Sequence, residues 1–87
     1  MDNLKISVLL ERDDFKMEII GRDARNIRCF EQETGVKVVI DDTPQRVFLV
    51  GTDLPSLENA RRIMEKLVRD KKITEAKIKE YKKLCSE

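Results

Sequence analysis

The sequence predicts an α+β domain in which a three-stranded antiparallel sheet packs against helices. The expected order is strand, helix, helix, strand, strand, helix, with one further helix at the C-terminal end. Two short stretches alternate apolar and polar residues, the period of half-buried strands. A later stretch repeats apolar residues every three or four positions, the period of a helix with one buried face. Glycines at 21, 35 and 51 stand at the joins between these patterns.

In the first strand Leu4, Ile6, Val8 and Leu10 alternate with Lys5, Ser7 and Leu9. Residues 11–14 break the pattern. Phe15, Ile19 and Ile20 then fall at helical spacing, and the short helix they predict ends at Gly21, where a positive φ stops a helix at little cost. Arg22, Asp23 and Ala24 form a tight connection to a second helix over 25–34, with Ile27 and Phe30 inward and Gly35 closing it. Val36, Val38 and Ile40 alternate with Lys37 and Val39 as the second strand. The turn formers 41–45 join it as a hairpin to a third strand over 47–50. Thr52 or Asp53 caps the next helix, Pro55 fits its first turn, and Leu57, Ala60, Met64, Leu67 and Val68 share its buried face. Asp70, Lys71 and Lys72 interrupt that face. Thr74 caps a last helix carrying Ile78, Tyr81 and Cys85. The expected division is a domain over 1–72 and a helical extension over 73–87.

A chain of 87 residues holds one small domain with little room for a deep catalytic cavity. Hydrophobic and charged residues each make up 40%, the balance of a folded domain with a heavily charged surface. There is no histidine, which removes imidazole acid–base catalysis, Ser-His and Cys-His nucleophile pairs and His-ligated metals. Cys29 and Cys85 form no C-x-x-C pair and are expected as free thiols. No catalytic residues, metal or cofactor are therefore expected. No apolar run approaches membrane-spanning length and no signal peptide is visible, so the expected setting is cytoplasmic. The net charge of +1 is unevenly spread, because residues 61–83 hold ten Lys/Arg against four Asp/Glu. That stretch extends a nucleic-acid footprint or is simply a solvated helix face.

The informative stretch is Ile19-Ile20-Gly21-Arg22-Asp23-Ala24-Arg25-Asn26-Ile27-Arg28. A short glycine loop before a helix exposes backbone amides where the helix dipole also favours an anion. Arg22, Arg25 and Arg28 cluster around it, and Ile20, Ile27 and Ile40 offer an aliphatic floor for bases. Asn26 serves either a base edge or a helix cap. Each arginine either meets phosphate or pairs with Glu18, Glu31 or Glu33.

This pattern resembles a type I KH domain, whose signature is I-I-G-x-x-G and whose loop holds the backbone of about four nucleotides. The resemblance runs from about Ile6 to Lys72. It is closer still to the KH domain of the ribonuclease Y family. Ile40-Asp41-Asp42-Thr43-Pro44, Thr34-Gly35-Val36 and Arg25-Asn26-Ile27-Arg28 carry that likeness beside Ile19-Ile20-Gly21-Arg22, with Gly51, Arg62-Ile63, Glu65-Lys66-Leu67, Lys72-Ile73 and Ala76-Lys77-Ile78. In that family a metal-binding HD domain follows the KH domain and performs the cleavage. The resemblance thus implies a fragment or stand-alone relative that binds single-stranded RNA, or single-stranded DNA, through Ile20–Arg28 and Ile40 without catalysing anything itself.

The chain departs from the signature at its last position, where Ala24 replaces glycine. If that position is left-handed, alanine costs about 1–2 kcal/mol. Asp23 adds a negative charge that either caps the second helix or repels phosphate. The competing expectation is a degenerate loop on an interaction module. Ile78, Tyr81, Leu84 and Cys85 form an apolar strip that packs either on this domain or on a partner; the interaction module would use it for a second copy or a neighbouring domain. Phe15, Phe30 and Phe48 are all expected in the core, which argues against a sheet that stacks bases on exposed aromatics.

Overall fold

The computed structural model describes residues 3–85; the two residues at each end, included in the expected bounds 1–72 and 73–87, lie outside the described residues. The elements are β1 (Leu4–Leu9), α1 (Phe15–Ile20), a single 3-10 turn (Arg22–Ala24), α2 (Arg25–Thr34), β2 (Lys37–Val39), β3 (Arg46–Gly51), α3 (Leu54–Asp70) and α4 (Glu75–Cys85). The order is the one the alternation and helical periods predict.

The sheet is antiparallel throughout, with β3 in the middle in the order β1-β3-β2. Strand residues alternate sides, so Val8, Val38, Val47 and Leu49 turn inward and are buried. They meet the buried face of α3, formed by Leu57, Ala60, Ile63, Met64, Leu67 and Val68. Asp53 caps α3, its carboxylate accepting from the Ser56 N–H at 2.9 Å. At six residues α1 is too short to be stable alone, and burial of Phe15 and Ile19 holds it in place.

Two expectations are corrected, and the structure decides a third point that the sequence left open. β2 covers only Lys37–Val39, so Val36 and Ile40 flank the paired strand. The cause lies in Asp41, whose carboxylate accepts from the Thr43 N–H at 2.9 Å and turns the chain away. Phe48 is not in the core. It alternates with the buried Val47 and Leu49, faces away from the helices and is half-buried, with the Lys5 ammonium 4.3 Å from its ring centre. The apolar strip of α4 is largely spent within the domain: Ile78 and Tyr81 join the same core as Phe30 and Leu67, Cys85 packs on its edge, and only Leu84 stays exposed.

Candidate nucleic-acid interface

The loop between α1 and α2 depends on an unusual run of backbone angles. Gly21 has φ +74°, and Asp23 and Ala24 follow at φ +54° and +59°, both left-handed. Glycine suits such angles at no steric cost, whereas each L-residue costs about 1–2 kcal/mol there. Ala24 therefore occupies a position whose geometry calls for glycine. Gly21 is demanded twice over, because a Cβ on it would lie 2.8 Å from Asn26 Cγ and Nδ2.

Neither Asp23 nor Asn26 caps α2, contrary to the two capping roles open to them. The residue before α2 is Ala24, in a left-handed conformation, and among the described residues no side chain caps the helix start. The opening amides of α2 thus have no side-chain acceptor, which leaves the positive end of the helix available to an anion. Asn26 instead turns its amide back into the fold. Its Nδ2 donates to Glu18 O at 2.9 Å and to Ile73 O at 2.8 Å, joining α1 to the segment between α3 and α4.

The arginines divide. Arg22 is exposed in the loop and, among the described residues, forms no salt bridge; the same holds for Arg28. Arg25 Nε lies 3.7 Å from Glu75 Oε2 on α4, not beside Glu18, Glu31 or Glu33. Arg25 and Arg28 line a cleft of about 720 Å³ between α2 and α4, with Cys29, Gln32 and Lys79. Burial pushes the Cys29 thiol up, and Glu75 and Glu33 add to the effect, so it is a poor nucleophile. Those two arginines flank the loop on the α4 side, away from the aliphatic floor.

Ile20 on α1, Ile27 on α2 and Ile40 just after β2 are half-buried, at a junction held together by polar braces. Lys16 Nζ on α1 donates to Asp41 O at 2.8 Å and Thr43 O at 2.7 Å, just after Ile40. Asp13 accepts from the Gln45 N–H at 2.8 Å, which fastens the other end of the β2–β3 turn. On α2, Glu31 Oε2 accepts from the Val38 N–H at 2.9 Å and ties the helix to the outer strand. Ile27 lies one turn before Glu31 on the same face and so borders β2. The sequence reading missed these braces, since nothing in a local pattern marks a lysine that reaches across 27 positions. It also missed Met17, which is 77% exposed on the α1 face of Ile20. The three-residue spacing of Met17 and Ile20 was the available signal.

A glycine turn feeding an uncapped helix, set beside a trough edged by the outer strand of a three-stranded sheet, is the architecture of a KH domain. The family model described as "KH domain" matches residues 6–66, and the chain belongs to that family. Its similar relatives are ribonuclease Y proteins. That of Lactobacillus gasseri is 52% identical over 73 residues, covering 84% of this chain and 14% of that protein. That of Fervidobacterium nodosum is 49% identical over 82 residues, 93% of this chain and 16% of the relative. That of Rhodopirellula baltica is 47% identical over 79 residues, 91% and 15% respectively. The chain therefore spans only 14–16% of the length of these curated relatives. No solved structure matches the chain, and among the described residues no helix is long and apolar enough to cross a membrane.

Proposed function

We propose that this domain grips short single-stranded RNA and positions it for the catalytic part of a ribonuclease Y-like endoribonuclease, without performing chemistry itself. The observation that carries this reading is the uncapped start of α2 beside Gly21 and the exposed Arg22, which forms no salt bridge among the described residues. Phosphates sit against the α2 amides and Arg22. Bases lie on the trough of Ile20, Ile27 and Ile40, which Met17 extends. Arg25 and Arg28 steer the strand from the α4 side, and Asn26 acts by fixing the loop. Single-stranded DNA fits the same contacts, because the loop reads phosphate. Residues 1–72 form the binding unit and 73–87 its extension, in a cytoplasmic setting.

The test is fluorescence anisotropy of a labelled single-stranded RNA pool at two salt concentrations, with Arg22→Asp alongside the parent chain. Salt-sensitive binding lost in the variant is the expected result. No binding at high micromolar protein, with the fold intact by circular dichroism, overturns it. That result favours the second reading, an interaction or dimerisation module. The left-handed Asp23 and Ala24 are its support, since they place a carboxylate and a methyl where phosphate must approach.

A further inference from the structure

The outer face of the sheet, opposite the helices, is a surface that the loop site leaves unused. The register sets its outward residues in rows across the three strands. Lys5 and Lys37 flank Val50, Ser7 and Val39 flank Phe48, and Leu9 stands beside Arg46. Leu9 is 66% exposed and Val39 37%. Every charged side chain in these rows is a cation: Lys5, Lys37 and Arg46. Asp41 lies outside these rows, in the turn at the edge, where its carboxylate feels Lys5 and accepts from the Thr43 N–H. Phe48 sits in the central row, with Lys5 resting over its ring and Arg46 donating to Ser7 Oγ at 3.3 Å.

We propose that this open sheet face is a second single-stranded nucleic-acid surface, on which a base stacks against Phe48 while Lys5, Lys37 and Arg46 take the neighbouring phosphates. The charge pattern selects the occupant. A second copy docked by a two-fold axis would set the three cations against themselves, which is repulsive. An apolar partner would strand them without counter-charge. A nucleic-acid strand supplies both phosphates and a π-face, the pairing by which flat sheets hold single strands. Lys5 moves from the ring to a phosphate as the base arrives, keeping its charge matched. β2 borders the trough on one side and this face on the other. A strand longer than the four or so nucleotides of a KH loop thus continues around that edge.

The experiment compares a four-nucleotide and a twelve-nucleotide single-stranded RNA by anisotropy. The proteins are the parent chain, Lys5→Glu/Lys37→Glu, Phe48→Leu and Arg22→Asp. Phe48→Leu keeps an apolar side chain, and the lysine pair is exposed, so both variants are expected to fold; circular dichroism checks this. The expected result is that the sheet-face variants bind the short RNA as the parent does but lose about tenfold on the long one. The lysine pair should also flatten the salt slope for the long RNA by about 1.4. Equal affinity of parent and sheet-face variants for the long RNA overturns the proposal. So does parent-chain binding of vesicles of anionic lipid, or of a polyglutamate peptide, in preference to the twelve-nucleotide RNA. If Arg22→Asp changes nothing while the sheet-face variants weaken binding, the loop reading fails and this one stands. If the parent chain binds neither RNA, both fail.

Discussion

Ala24 is the residue at which local conformation and side chain disagree most plainly. It is left-handed next to a left-handed Asp23, and neither is glycine. Ala24→Gly is expected to stabilise the domain by about 1 kcal/mol in urea unfolding, because it removes one of those penalties. The same change should leave RNA affinity equal or higher, since it also takes a methyl from the phosphate's approach. Gly21→Ala should do the opposite. With φ +74° and an Asn26 contact at 2.8 Å, it is expected to cost about 2–4 kcal/mol and to dislodge the Asn26 amide. Gly21 was legible in the sequence as a helix stop, and Ala24 as a departure from a motif. The role of Asn26 was not legible, because its partner Ile73 lies 47 positions away and the bond exists only after the last two helices dock.

At the level of elements, the trough is set by how α1 and α2 are fastened to β2 and the turn after it. Asp13 and Asp41 hold this junction, and both carboxyls lie below their ordinary value of 3.8. The Gln45 N–H and then Lys16 lower the first, and hydrogen bonds from Thr43 lower the second. A carboxyl with a lowered folded pKa stabilises the fold above its unfolded pKa and loses that contribution as pH falls through the folded value. Stability should therefore drop below about pH 4, and Asp13→Asn and Asp41→Asn should flatten that drop in urea titrations taken across the acid range. The strands and helices themselves were readable because their apolar periods are local. The end of β2 and the outward turn of Phe48 were not. The run 47–50 has apolar residues at every position, so only pairing with β1 and β2 decides which side faces the helices. α4 likewise showed an apolar strip without its destination. Ile78 is 1% exposed in the shared core, and Ile78→Ala is expected to cost about 2–5 kcal/mol. An unfolding midpoint unchanged by that substitution would mean that α4 is detached from the core in solution.

Over the whole molecule, a net charge of +1 leaves little general attraction for a polyanion, so binding must come from placed contacts. If the loop neutralises two or three phosphates, the salt slope of single-strand binding is about −1.4 to −2.1, and Arg22→Asp reduces its magnitude by about 0.7. Titrations at several salt concentrations measure both. The total charge was visible in the composition, but the gathering of cations on one sheet face was not, because Lys5, Lys37 and Arg46 come from three separate strands. The amide of Asn26 has a consequence at this scale. One nitrogen reaches Glu18 on the grip and Ile73 at the joint between the last two helices. Linkage between two sites runs both ways with equal strength. A movement that tilts this joint therefore pulls on the loop, and a movement of the loop pulls on the joint in return, so the nitrogen acts as a tether between the two.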